Sequence, residues 1–510
     1  MRALPFILLF LLVLMSPFAL RYFTGAAPAA DLSSSGDRLV VVTPNNPDIR
    51  REFAWAFSAW HERHYGTPVT LDFRAVGAAT SDIKRLLQTS YDSVRLPNRQ
   101  LPPEDQIAGQ INIQIAWSGG DTFFDRELKP MGILAPLHLS PAQIATIFPQ
   151  PTLAGVNLYD QEPDHQPRWA GVVLSSFGIM YNPDLYRALQ LDPPLTWSDL
   201  TDPRLVGQVA LADPTHSASV GVCYMMVIER AMADAEAAYW KDHPGDKGPG
   251  YHAALSDGFH RGMETLLLMA ANARYFTDSS TQPPSDVSNG QAAAALAIDF
   301  YARVSAEEVG NSRARFVVPA NATAITPDPV AILYGTLGHQ RELADHFVEF
   351  LFSREGQLLW ILKAGTPGGP RERALRRPPI RRDVYSTDTS NWTDHMNPFT
   401  EAGAFNMRGD WMALFTDIRP IWAAAWIDER DSLVKAYNAV LSESDDARRS
   451  ELLQELSDVP VTLSDVEADV ATRKQKEAAG NADEWKALSR IGWEKKFRDH
   501  YQSVLTTVRL

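Results

Sequence analysis

Short apolar runs alternate along the first third of the chain with stretches in which apolar residues recur every three or four positions. "DRLVVVTPNN" holds an apolar run from Leu39 to Val42 that stops in a polar turn, the pattern of a short buried strand. "DIRREFAWAFSAWHERHYG" follows with Ile49, Phe53, Phe57 and Trp60 in helical register. "TPVTLDFRAV" alternates and is rich in β-branched residues, a second strand. Strand, turn, helix, strand is the order of a parallel α/β unit. "INIQIAW", Ile111–Trp117, alternates again and runs into "SGGD". Strands that end in small polar turns mark the edge of such a sheet where ligands sit.

The same style continues from Trp169. "WAGVVLSSFGIMYNPDLY" gives two short strand-like runs and a turn into a helix, and Val209–Leu211 is a strand followed by "ADPTHSASVG". Residues 223–270 are mainly helical, interrupted by the charged "KDHPGDKGPG". "NARYFTDSSTQPPSDVSNG", residues 272–290, is polar, and Pro283 and Pro284 predict that it is neither helix nor central strand. "QAAAALAIDFYARV" predicts an apolar strand closing on Asp299 and Tyr301. "ARFVVPANATAITPDPVAIL" is strand-like, and "RELADHFVEFLFSREGQLLWIL" is an amphipathic helix. "GTPGGPRERALRRPPIRRD" has the composition of a linker. Beyond it Trp411, Leu414, Phe415, Ile418, Trp422 and Trp426 form a helical stripe broken at Pro420. Trp485, Leu488, Ile491 and Trp493 predict one face of a last, charged helix.

Composition narrows the function classes. With 510 residues the chain exceeds one ordinary core, and 45% hydrophobic with 22% charged residues is globular. A formal charge of −14 argues against nucleic acid, which selects for excess Lys and Arg. The single cysteine, Cys223, excludes an internal disulfide and a cysteine-based zinc cluster. HExxH, GxSxG, P-loop and CxxC motifs are all absent, so no enzyme class is indicated and no cofactor is implied. At the N-terminus Arg2 precedes an apolar run from Ala3 to Leu20, and "APA" at Ala27–Ala29 offers a signal-peptidase site. Residues 1–30 are therefore expected to be a signal peptide or, uncleaved, a membrane anchor that tethers the chain.

Five phrases carry a resemblance: "LVVVTPNN", "IQIAWSGGDTFFDRELKPMGILAPL", "FGIMYNPDLY", "LTWSDLTDPRLVGQVALADPTHSASVG" and "HFVEFLFSREGQLLW". They resemble the extracellular solute-binding proteins of ABC importers, in the type II group that includes ferric-iron binders. The resemblance covers about residues 38–370. It implies an α/β, two-lobed type II periplasmic-binding-protein fold, here with a helical C-terminal extension. The implied layout is lobe I from residues 38–124 and 313–370, lobe II from 125–312, a linker at 371–390 and the extension at 391–510. It also implies a small-molecule solute, an ABC permease as partner, and a periplasmic, secreted or membrane-anchored location. A receptor feeding a membrane signalling partner is the competing reading.

Several candidate site residues have a bland alternative. Thr43 and Asn45 lie at the first ligand turn or simply cap a helix. Ser118, Gly119 and Gly120 form a turn that a ligand approaches closely, or a tight turn and no more. Thr215, Ser217 and Ser219 stand at a strand-to-helix junction whose amides suit an anion. Arg274 offers a forked donor to an acid group or pairs within its own loop, and Ser280 faces the cleft from that loop. Asp299 and Tyr301 end the strand that in ferric binders leads to two adjacent tyrosines. Phe300 takes the place of one phenolate, and Asn45 and Asn46 stand where a histidine helps iron. The expectation is therefore a polar or anionic organic solute, with Tyr301 and Asp299 as metal ligands only if iron binds.

Overall fold

The computed structural model describes residues 37–509 apart from 75–79, 102–106, 108–110, 163–165, 311, 401–404, 406–407, 409–410, 412–413 and 479–481. The expectation of a signal peptide or anchor at residues 1–30 lies outside the described residues. Among those described, no helix is long and apolar enough to cross a membrane.

The apolar runs become strands: β1 (Asp37–Val42), β2 (Val69–Arg74), β3 (Ile115–Trp117), β4 (Leu134–Ala135), a small hairpin of β5 (Thr152–Leu153) and β6 (Val156–Asn157), β7 (Ala170–Tyr181), β8 (Val209–Ala212), β9 (Ala273–Thr277), β10 (Ala294–Ile298), β11 (Arg315–Val317) and β12 (Ile325–Leu333). The main sheet runs β2-β1-β3-β12-β7-β10-β8-β9, with β4 beside β12 and β11 beside β7. Parallel pairs sit at both ends, β1 with β2 and β3, and β8 with β9 and β10. The antiparallel pair β7 and β12 joins them. Two parallel α/β lobes are thus hinged on two crossing strands.

Every residue of β7 is buried, so it shows no alternation. Its first part, through Ser176, pairs with β12, and from Phe177 onward it pairs with β10 and β11. A side chain at Gly178 would meet Val317 O at 2.2 Å, which is why the crossing needs glycine there.

Two expected boundaries move. The chain was expected to leave lobe I near residue 125 and return near 313. Instead β4 still pairs with β12, so lobe I holds the chain to β7, and β11 is still on the lobe II side. Strand pairing sets these points, and pairing is a long-range property. Of Ile111–Trp117 only Ile115–Trp117 is strand. Pro283 and Pro284 do not bar a helix: they occupy the first turn of Gln282–Ser288, where a missing N–H costs nothing. β10 ends at Ile298, and Asp299 opens the helix Asp299–Glu308.

In lobe I the predicted stripe Ile49, Phe53, Phe57 and Trp60 is buried along the helix Pro47–Tyr65, which Asn46 caps at 2.9 Å and Gly66 ends at φ 80°. In lobe II the helices Ala218–Asp242 and Pro249–Ala271 pack on each other and carry the extension on their outer side.

Residues 371–390 are no linker. Glu52 accepts the backbone N–H groups of Arg371, Glu372 and Arg373 at 2.6, 2.8 and 3.0 Å. Leu174 N then donates to Pro378 O at 2.9 Å, and the Arg377 side chain is fully buried. The strap is sewn across β7 because buried backbone groups must find partners. Pro420 likewise does not break the Trp-rich helix, which runs Phe415–Trp422 and widens into a π-type turn, Ala423–Asp428. Trp422 and Trp426 bury against Tyr224 at ring separations of 5.3 and 6.0 Å. On the last helix, Ala482–Arg509, the buried face is Trp493, Phe497, Tyr501 and Val504, whereas Leu488 and Ile491 are exposed.

Candidate functional site

Between the lobes lies a cleft with about 850 Å³ of space, its open mouth included. Lobe I contributes Asn45, the turn Ser118–Gly120, Asp121, Phe123 and Glu127. Lobe II contributes His216, Ser217, Asp278, Ser280, Phe300 and Tyr301, and the crossing strands add Ser175, Phe177, Thr326 and Asp328.

β3 delivers the Ser118–Gly120 turn, and the chain then enters the short helix Asp121–Phe123. Ser118, Gly119 and Gly120 all have positive φ, at 67°, 122° and 86°. Two glycines keep that strained path inexpensive, and the turn points successive N–H groups at one spot. Asn45 Nδ2 donates to Ser118 Oγ at 3.0 Å and ties the two lobe I turns together. Thr43 is buried, accepts from Asn45 N at 3.1 Å and does not line the cleft; nor does it cap the helix, since Asn46 does that.

In lobe II Ser217 both caps the helix Ala218–Asp242, accepting from Val220 N at 3.4 Å, and lines the cleft. Thr215 is absent from the wall, because its Oγ1 donates to Asp213 Oδ1 at 2.6 Å. Ser219 sits in the first turn of that helix, and its side chain is outside the described set. Ser280 and Tyr301 reach the cleft as expected, and burial pushes the Tyr301 phenol up to about 12. His216 lines it too and faces Asp278 at 3.0 Å.

Two expected residues are elsewhere. Arg274 is exposed on the edge strand β9 and donates to Gln291 O, so it lies away from the residues lining the cleft and makes no ion pair with an acid of its loop. Asp299 is wholly buried behind the wall, where Ser176 N and Ser176 Oγ both donate to it at 3.0 Å. Burial raises its carboxyl above the usual range. It braces the start of its helix against β7.

The cleft residues that the sequence did not mark as ligand contacts are the acids. Asp121 and Glu127 stand on lobe I, Asp278 on lobe II and Asp328 on β12, all at the cleft. No Lys or Arg is among the described residues lining it. Lys84 and Arg419 pair with Glu127 at 3.2 and 2.9 Å, and Arg377 pairs with Asp328. Burial pushes the Asp121 carboxyl up to about 7. One signal was present: "TPDPV" sets a charged residue between two prolines inside an apolar strand. For Arg377, one arginine among many, the sequence offered none.

A family model described as "Bacterial extracellular solute-binding protein" matches residues 119–395, just over half of the chain. The chain belongs to that family of extracellular solute-binding proteins. Among solved structures, this family member is similar to the periplasmic binding protein AfuA from Actinobacillus pleuropneumoniae with fructose-6-phosphate bound. Identity is 16%, with 79% of this chain and 98% of that chain covered at a TM-score of 0.50. It is also similar to iron-bound HitA from Pseudomonas aeruginosa, at 17% identity over 75% and 99% of the two chains with a TM-score of 0.48. The AfuA likeness supports the two-lobed fold and no more. An uncharacterized Haemophilus influenzae protein is 26% identical over 168 residues, 33% of this chain. The match spans only 40% of that relative's length.

Proposed function

We propose that this solute-binding protein captures a small polar solute bearing a cationic amine and hands it to an ABC permease, outside the cytoplasm and free or tethered by its N-terminal segment. One observation carries the choice of solute: Asp121 and Asp278 face the same cleft from opposite lobes, without a Lys or Arg among its described lining residues. An ammonium bridging them would draw the two lobes together, with His216 at 3.0 Å from Asp278 as the neighbour it must share that acid with. Binding energy thereby favours closure, which is what a receptor of this type requires. Phe123, Phe177 and Tyr301 add aromatic rings to the wall, of a kind suited to the same cation. The anionic solute expected from Arg274 loses that donor, and the Gly119 and Gly120 amides are already taken by Asp328. Against iron stands the donor set, which offers Phe300 where a second phenolate is needed.

Calorimetric titration of the purified chain with putrescine, inorganic phosphate and Fe(III) tests the reading. Binding of the diamine, weakened on the order of tenfold or more in Asp278→Asn, is expected from the loss of one charge-assisted contact. Tight ferric binding with a tyrosinate absorption band that disappears in Tyr301→Phe would sink it.

A further inference from the structure

The Ser118–Gly120 turn has the form of an anion nest, and it is filled by the protein itself. Gly119 N and Gly120 N donate to the same atom, Asp328 Oδ1, at 3.0 and 2.8 Å. Asp328 is held there by its own strand. Pro327 and Pro329 flank it and donate no backbone hydrogen bonds, and the β7–β12 register slips between Asp328 and Pro329. Ser118 N then donates to Pro329 O at 2.7 Å, which locks the turn against the slipped strand.

The other carboxylate oxygen has its own partner. Arg377 Nη2 donates to Asp328 Oδ2 and to Ser175 Oγ. The Arg377 side chain is 0% exposed and lies over the Phe300 and Trp360 rings at 4.2 and 5.3 Å. Its Nε and Nη1 atoms find no hydrogen-bond partner among the described residues. A buried guanidinium left this short of partners depends on one carboxylate for its charge balance. The strap at residues 371–381 therefore brings a cation whose described ion pair is with Asp328.

We propose that Asp328 is a built-in anion that occupies the amide nest, excludes oxyanion solutes and so sets the charge selectivity of the cleft. The nest and the buried arginine together would bind phosphate, sulfate or a carboxylate well. With Asp328 in place, an incoming oxyanion finds the two amides and Arg377 Nη2 already engaged, so the nest offers it no donor. This inference deepens the amine reading given above and rests on it for the solute class. The exclusion of oxyanions stands separately.

The test is titration of the full chain with inorganic phosphate and, separately, with putrescine. Wild type is expected to show no measurable phosphate binding. Asp328→Ala empties the nest and strands Arg377, so phosphate affinity should rise on the order of tenfold or more, as expected for regained charge-assisted hydrogen bonds. Circular dichroism and a thermal melt check that the variant is folded. Because Asp328→Ala leaves a buried charge unpaired, the double variant Asp328→Ala/Arg377→Met is measured as well. It removes both charges, and a smaller phosphate gain is expected from the amides alone. Phosphate binding by wild type as tight as by Asp328→Ala overturns the proposal, and so does the lack of any gain in a folded variant. A phosphate gain with no putrescine binding by wild type upholds the filter and removes the amine reading. Putrescine binding without a phosphate gain does the reverse.

Discussion

Asp121 shows how one buried carboxyl links the cleft to pH. It opens the short helix after the Ser118–Gly120 turn, and burial lifts its carboxyl from 3.8 to about 7. The folded value lies above the unfolded one, so its contribution to stability is full below about pH 4 and is lost as pH rises through about 7. An ammonium ligand prefers the ionised form. Affinity for putrescine should therefore climb between pH 6 and pH 8, and binding near pH 6 should release a proton. Calorimetry in two buffers of different ionisation enthalpy reads that release, and Asp121→Asn should flatten both effects. A pH-independent affinity would take Asp121 out of the contact set. The neighbouring residues show how far sequence reached at this scale. Ser118, Gly119, Gly120, Ser217, Ser280 and Tyr301 were legible because turns after strands and helix starts announce themselves in small polar residues. Asp328 was marked only by its flanking prolines and Arg377 not at all, since their roles depend on partners 208 or 49 positions away.

Helix to helix, the interface between Pro47–Tyr65 and Gly338–Phe352 holds a pair of histidines. His61 Nδ1 meets Thr67 O at 2.6 Å, its Nε2 meets His346 Nδ1 at 3.0 Å, and Tyr65 stacks on His346 at 3.6 Å between centroids. One ring must accept what the other donates, so at least one of these nitrogens is unprotonated. Burial, with His61 alongside, lowers the His346 imidazole below its ordinary value, while Glu342, Glu349 and Asp345 oppose the shift. A depressed imidazole means that the unfolded chain takes up its proton first, so stability falls as pH drops below about 6.5. The melting temperature should be lower at pH 5 than at pH 7, and His346→Gln should lessen that difference. No change in the slope would show that other groups govern it. The helical stripe on Pro47–Tyr65 was readable because its period is local. That Glu52 on the same helix serves the strap at residues 371–373 was not, because a buried acid within an amphipathic repeat carries no mark of its partner.

Across the whole molecule the C-terminal extension does more than cover lobe II. Arg419, on a helix whose Trp422 packs against Tyr224, pairs with Glu127 of lobe I at 2.9 Å, and both side chains are mostly buried. The pair reaches from the lobe II side to the cleft wall of lobe I, so it favours the arrangement in which the lobes are together. Arg419→Ala should lose roughly 1.5–3 kcal/mol of that preference, the worth of a hydrogen bond between charged groups. Stopped-flow release of putrescine should then quicken on the order of tenfold to a hundredfold. An unchanged release rate would mean that the pair holds the extension and not the lobes. Sequence alone determined the α/β character, the first lobe's opening unit, the helical extension and most of the cleft's small polar residues, because periodicity, caps and turn chemistry act within a few positions. Tertiary structure decided where the chain crosses between lobes, that residues 371–390 form a strap, and that acids rather than Arg274 give the cleft its charge. These follow from strand pairing and from the need of buried charges for partners, which join residues far apart in the chain.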